Sequence, residues 1–347
     1  MKRPTIADIA QRAGVTKAAV SFALNNQPGV SPSTRQRIID IAREIGWQPN
    51  SAARALSDGR AGAFGLVIDR PAGILGAEPF FMQLIAGIQG ELATSRKALL
   101  FMVAPDRAAE IELYRTWWGQ RRVDGVFLVD LRVDDPRVAV LQELAMPAVV
   151  LGAPEGSGGL SAVWTDDVAA ARTVVDHLAH LGHRRIARVT GMPDLWHTRI
   201  RTDAFLAAAQ QVGIEASCVT ADYTAEGGAD ATMTLLAAPN PPTAIVFDND
   251  LMAVSGLGAA QRAGVPVPRE LSIVSWDDTV LCELVHPALT ALRRDVISYG
   301  AHAARRLLEL ADGAAAGDQA EPPAVLNARA STDRPSRETP SGRSGLR

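Results

Sequence analysis

Apolar residues open the chain in two short helical periods. In TIADIAQRAGVTKAAVSFALNN (residues 5–26), Ile6, Ile9, Ala10 and Ala13 share one face, and Val20 and Leu24 repeat at i, i+4 in a second segment that Thr16 can N-cap. Gly14 lies between them and can take the positive φ of a tight turn, small Ala10 lets the helices cross closely, and Val20 fills their angle, which are the requirements of a helix-turn-helix. With those positions turned inward, Lys17, Ala18, Ser21 and Phe22 face outward at the start of the second helix. A third helix follows, with Ser31 as N-cap, Pro32 in its first turn, an apolar stripe of Ile38, Ile41 and Ile45, and Gly46 past its end. In QPNSAARALSDG, Asn50 can cap a further segment ending near Ser57. Isolated helices shorter than ~12 to 15 residues are marginal in water, so this one is expected to fold only against a partner surface.

From residue 63 the pattern changes. Short β-rich runs (AFGLVI, ALLFMVA, VDGVFLV, AVVLG, RIARVTG, TAIVF, LSIVSW) alternate with helical periods, which predicts parallel sheets covered by helices. Pro147 and the Gly/Pro-rich LGAPEGSGG at 151–159 mark the end of a first lobe. Ligands of open α/β sheets lie beyond the carboxyl ends of the strands, and those ends are polar here. The strand at 185–190 leads through GMPDLWHT to Arg199; the strand at 244–247 ends in Asp248, Asn249 and Asp250; that at 271–275 ends in Trp276, Asp277 and Asp278. Such groups suit a polyhydroxylated ligand, with Trp196 and Trp276 as candidate aromatic faces. The plainer reading is that aspartates after strands cap the next helix and that Phe80 and Phe81, after a proline, are core. Trp117 and Trp118 lie on a helix pattern and read as packing residues.

Charge sharpens the division. The 347 residues carry a net charge of -3, yet the first 60 hold nine basic and four acidic side chains, a net +5 that leaves -8 on the remainder. A compact basic unit is the footprint of a phosphate-backbone binder. The N-terminus MKRPTIADIA breaks where a secretory signal needs an apolar core, and no run of ~18 apolar residues occurs, so a cytoplasmic protein with no membrane role is expected. Cys218 and Cys282 lie far apart, outside any metal-ligand spacing, and read as buried thiols.

The chain resembles the LacI/GalR family of bacterial transcription regulators. The resemblance is carried by TIADIAQRAGVTKAAVSFALNN, GVSPSTRQRIIDIAREIGWQPNSAARAL, EPFFMQLIAGI, VDGVFLVD, DHLAHLGHRRIARVTG, PPTAIVFDNDLMAVSGLGAAQRAGVPVPRELSIVSWDD and HPALTALRRD, in family order from about residue 4 to 332. It implies an N-terminal all-α helix-turn-helix domain (1–48), a hinge helix and linker (49–61), and an α/β two-lobed periplasmic-binding-protein-like effector domain (62–332), followed by a polar tail (333–347) that should be disordered. Lobe one would span about 62–161 and 292–322, lobe two about 162–291 and 323–332.

The family pattern also implies a homodimer on near-palindromic double-stranded operator DNA, contacted by Thr5, Thr16, Lys17, Ala18, Ser21, Phe22, Asn25, Asn50, Ala53 and Leu56, with Leu56 as a minor-groove wedge. Lys17 could donate to guanine, Ala18 and Phe22 offer only apolar contact, and Ser21 is expected to meet phosphate. A small-molecule effector, a sugar being the expectation, would be held by Phe80, Phe81, Trp196, Arg199, Asn249, Trp276 and Asp277. A large domain answering to a protein partner, or to a nucleobase-type co-repressor, is the alternative. No G-x-S-x-G, Walker or H-E-x-x-H motif is present, and the histidines of DHLAHLGH fall at a helix end and turn, so neither catalysis nor a cofactor is expected. A solute-binding transport component would need an export signal and would have no use for the basic bundle.

Overall fold

The computed structural model describes residues 4–48, 59–70 and 72–336. The chain divides into two units, Met1–Ala61 and Gly62–Arg347.

In the first unit each helix starts on a side-chain cap. Thr5 donates its backbone N–H and its hydroxyl to Asp8 Oδ2, both at 2.7 Å, and accepts from the Asp8 N–H, a capping box that opens α1 (Ile6–Ala13). Gly14 ends it at φ 64°, a left-handed conformation that costs glycine nothing. Thr16 accepts from the Ala19 N–H to start α2 (Lys17–Leu24), and Ser31 from the Thr34 N–H to start α3 (Pro32–Glu44). Ile9, Val20 and Ile38 are wholly buried where the three helices meet. Ala42 is buried with them, while Ile41 and Ile45 are only partly covered. Arg35 reaches across to the carbonyls of Phe22, Ala23 and Gln27 at 3.2, 2.9 and 2.6 Å, tying α3 to the end of α2 and the turn after it. The expected hinge segment, with Asn50, Ala53 and Leu56, lies outside the described residues.

The second unit is built on two sheets. The first contains β1 (Ala63–Ile68), β2 (Ala98–Val103), β3 (Val126–Leu128), β4 (Ala148–Leu151) and β5 (Ser161–Trp164); the second contains β6 (Arg185–Thr190), β7 (Glu215–Thr220), β8 (Ala244–Phe247), β9 (Ser272–Ser275) and β10 (Thr290–Arg293). β11 (Gln319–Ala320) returns to the first sheet beside β5, and β12 (Val325–Asn327) to the second, antiparallel to β10. The strand orders are β11-β5-β4-β3-β1-β2 and β12-β10-β9-β8-β6-β7. Continuous apolar strands such as Leu66-Val67-Ile68 are buried because helices cover both faces. These helices are α4 (Ala72–Ala77), α5 (Pro79–Thr94), α6 (Arg107–Gly119) and α7 (Pro136–Glu143) in lobe one, and α8 (Asp167–Leu181), α9 (Trp196–Gln211), α10 (Ala225–Leu236), α11 (Asp250–Arg262) and α12 (Val280–Leu284) in lobe two. Trp117 of α6 is wholly buried, as a packing residue should be. No helix among the described residues is long and apolar enough to cross a membrane.

Three expectations need correction. The Gly/Pro-rich stretch at 151–159 is an internal connection of lobe one, because β5 pairs with β4, and the chain changes lobes after Trp164 rather than at 161. Asp333 is not part of a free tail: its N–H donates to Ser272 Oγ at 3.2 Å and its carbonyl accepts from the same hydroxyl at 3.3 Å. Cys218 is exposed, since β7 is the edge strand of its sheet; Cys282 is buried.

The long helix α13 (Val296–Ala311) returns to lobe one and crosses α5 at two glycines. A Cβ on Gly87 would lie 2.0 Å from the Ile297 carbonyl oxygen, and one on Gly300 would lie 2.4 Å from that of Leu84. Backbone cannot yield as a flexible side chain does. Gly87→Ala is therefore expected to destabilise the second unit by ~1 to 3 kcal/mol, as overpacking of a tight contact does. Urea unfolding checks this, and an unchanged midpoint would show that the helices separate freely.

Candidate functional site

The first unit presents one flank of α2. Lys17, Ala18 and Asn25 are exposed, Ser21 is partly so, and Phe22 is 41 % exposed. Thr16 caps α2 at the start of this flank and Thr5 caps α1, both with their hydroxyls engaged in the caps. The Phe22 ring would meet a Cβ on Gly29 at 3.5 Å, so one side of it rests on the turn after α2 and the other remains open.

In the second unit a cavity of ≈ 70 Å³ lies between the lobes. Phe80, Phe81 and Leu84 of α5 line it from lobe one, and Tyr223 and His197 from lobe two. The carboxyl ends of the strands supply its charged groups: Arg70 after β1, Asp130 after β3, Asp248 after β8 and Asp277 after β9. Arg70 grips Asp130 bidentately at 2.8 and 3.0 Å, Arg294 pairs with Asp277 at 2.8 Å, and Arg201 pairs with Asp167 at 3.1 Å. Asp248 pairs with wholly buried Arg188 and accepts from the Gly191 N–H at 2.8 Å. Burial alone would raise the Asp130 pKa, but the Arg70 guanidinium more than offsets it and holds the carboxyl at about 2. Burial, reinforced by the charge of Arg201, drives His197 down to about 3, so its imidazole is neutral and shares a 2.8 Å hydrogen bond with the Tyr223 hydroxyl.

Glu78 is different. Burial raises its pKa to about 7, with Arg70 pulling it down and Asp277 pushing it up. Its Oε1 accepts from Asn249 Nδ2 at 3.3 Å, and its buried Oε2 has no hydrogen-bond partner.

Of the residues expected at the effector site, Phe80, Phe81 and Asp277 line the cavity, while Arg199, Trp196, Asn249 and Trp276 do not. Arg199 is exposed. On α9 it stands two positions from Arg201, about 200° around a helix of 3.6 residues per turn, so only one of the pair can face inward, and it is Arg201. The Arg199 guanidinium instead lies 5.8 Å from the Trp196 ring centroid. Trp196 packs against the lobe-one core, and its backbone N–H donates to the Leu131 carbonyl at 2.7 Å. It helps join the lobes beside the cavity, together with the ion pair of Arg132, which Asp69 holds at 2.9 Å within lobe one, to Asp194 of lobe two. Asn249 caps α11 through the Met252 N–H and reaches Glu78 and the Tyr223 carbonyl, so it ties the lobes one layer behind the lining. Trp276 is buried behind Arg201, whose guanidinium lies 4.8 Å from its ring. Arg70, Glu78, Asp130, Asp167, His197 and Arg201 escaped the sequence reading; for most, the available signal was a charged residue next to a strand end or at a helix start.

A helix-turn-helix unit and a two-lobed α/β domain with an interlobe cavity define a ligand-responsive DNA-binding regulator in architecture. Comparison with known proteins agrees. Residues 5–50 match the model of bacterial regulatory proteins of the lacI family, and residues 175–332 match a periplasmic binding protein-like domain. The HTH-type transcriptional regulator CelR of Thermobifida fusca is 30% identical over 318 residues, covering 90% of this chain and 93% of CelR. The lac repressor dimer bound to operator and the anti-inducer ONPF has a TM-score of 0.84 at 26% identity, covering 96% of this chain and 100% of that one. A CelR–cellobiose complex has a TM-score of 0.73 at 28% identity, covering 95% and 100%. The chain belongs to the LacI family of bacterial transcription regulators.

Proposed function

We propose that this protein is a sequence-specific repressor of a catabolic or transport operon, acting as a homodimer on a near-palindromic operator and controlled by a sugar held between its lobes. The observation that carries this reading is the cavity, to which both lobes contribute charged and aromatic side chains. The CelR relative with bound cellobiose supports the ligand class. In the DNA-binding unit the exposed flank of α2 suits a major groove, with Lys17 donating to guanine and Phe22 restricted to apolar contact. Leu56 remains the proposed minor-groove wedge. A ligand bridging the lobes would change their relative angle, and turning a population from 1:99 to 99:1 requires a preference of ~5.5 kcal/mol, a demand that several contacts from both lobes can meet.

The test is a genome-derived footprint of the purified protein, followed by effector titration of two variants. Arg201→Ala is expected to lose ~1.5 to 3 kcal/mol of effector affinity, the worth of a charge-assisted contact, while operator binding without ligand persists. Arg199→Ala should behave as the parent. Preference for no duplex over random DNA at moderate salt would remove the repressor reading, and equal effects of the two variants would place the ligand elsewhere.

A further inference from the structure

The charges around the interlobe cavity are matched in pairs with one remainder. Asp130 is held by Arg70, Asp167 by Arg201, Asp277 by Arg294 and Asp248 by Arg188. The neutral His197 adds no positive charge. Glu78 forms no ion pair among the described residues, although it is 6 % exposed. Every arginine that lines the cavity is therefore already committed to a carboxylate, and the uncommitted charged group is an acid. A ligand phosphate or carboxylate entering here would have to break an existing ion pair or lose its hydration beside acids with no cation to receive it, and both are costly in a desolvated site.

Four buried polar atoms of lining residues lack hydrogen-bond partners: Glu78 Oε2, an acceptor, and the guanidinium donors Arg70 Nη1, Arg201 Nε and Arg294 Nε. The Arg70 guanidinium sits over Tyr223, 4.5 Å from the ring centroid, and 5.6 Å from that of Phe81. One acceptor among several donors is the complement of a set of hydroxyl groups, since each hydroxyl both donates and accepts, whereas an anionic group can only accept and leaves Glu78 unfilled. A lone ammonium would satisfy Glu78 but would meet the Arg70 charge and leave its donor unused. Resting on the reading of this cleft as the effector site, we propose that the cavity selects an uncharged polyol over its anionic counterparts, with Glu78 Oε2 accepting from one ligand hydroxyl and Arg70 Nη1 donating to another. A buried acceptor and donor that go unpaired discriminate strongly against any ligand that cannot fill both.

The experiment uses the full chain and matched ligands at constant ionic strength: glucose, glucuronate, glucose 6-phosphate and glucosamine, with cellobiose and cellobionate, and galactose and galacturonate, read by calorimetry and thermal shift. At least one uncharged member should bind, and its anionic counterparts should bind ~50-fold or more weakly, within the range that unpaired buried polar groups produce. Glu78→Gln should lower affinity for that uncharged ligand ~10-fold, as loss of a charge-assisted acceptor does, and narrow the discrimination against its anion. Melting of the unliganded variant verifies its fold. An anion that binds as tightly as its uncharged counterpart would overturn the charge argument while leaving the effector site standing. Tighter binding of glucosamine than of glucose would reassign Glu78 to an ammonium and overturn it equally, and parental affinity in Glu78→Gln would remove Glu78 from the site. If no member of the panel binds, the cleft as a sugar site and this inference fall together.

Discussion

Asp248→Ala is expected to cost the second unit ~3 to 5 kcal/mol, the penalty for removing one member of a fully buried ion pair. The side chains of Asp248 and Arg188 are both 0 % exposed. Removing the carboxylate leaves the guanidinium without its countercharge and the Gly191 N–H without the acceptor that it meets at 2.8 Å. Arg188 would keep a bond to the Thr202 hydroxyl and its position 5.6 Å from the Trp276 ring, neither of which neutralises it. Replacing both residues by apolar side chains of similar volume, as in Arg188→Met with Asp248→Leu, should cost less than the single change, because no charge is then stranded. Urea unfolding of the three chains measures this. A double variant as unstable as the sum of its single changes would mean that the pair does not act as a unit.

The same pair illustrates what one sequence can disclose. The helix-turn-helix was legible because its determinants are local: Thr16, Gly14 and Ser31 punctuate helices of 8 and 13 residues, and the buried Ile9, Val20 and Ile38 fall at helical spacing. The apolar run Ala63–Ile68 and the β-rich run Arg185–Thr190 announced their strands for the same reason. β5, β10, β11 and β12 did not, being two to four residues long and defined by partners distant in the chain, and neither did β7, whose EASCVT carries little apolar signal. Asp277, read from a strand end, lines the cavity, but which polar residues converge there depends on topology. Arg70 and Asp130 lie 60 residues apart and meet only because β1 and β3 are neighbours in the sheet. For Arg199 and Arg201 the missing information was the phase of α9. A Trp-His-Thr start gives no apolar stripe from which to choose between two arginines two positions apart.

The pH dependence of stability should carry the signature of Glu78. Its pKa rises from an ordinary 4.5 to about 7 in the folded chain, chiefly through burial. Between those values the folded state binds more protons at this site than the unfolded state does, so stability falls as pH rises. The favourable contribution is complete below the unfolded pKa and is lost as pH climbs through the folded one, an effect of ~3 kcal/mol at one unit per 1.36 kcal/mol. Glu78→Gln resembles the protonated carboxyl in shape and charge. It should therefore exceed the parent in stability by up to ~3 kcal/mol at pH 8, with the difference shrinking steadily toward pH 5. His197, His183 and Asp250 also carry shifted pKa values, at about 3, 4 and 6, but they are common to both chains and cancel in the difference. Arg70, Asp130 and Asp277 surround Glu78 in both chains as well, so the comparison isolates its own proton. Urea midpoints of parent and variant at pH 5, 6, 7 and 8 decide the matter. A gap independent of pH would show that Glu78 does not titrate there, whereas a gap opening across that range would make Glu78 a carboxyl whose ionisation is disfavoured until a ligand hydroxyl donates to it. Binding of such a ligand would then release a proton near neutral pH, measurable as a dependence of the calorimetric enthalpy on the ionisation heat of the buffer.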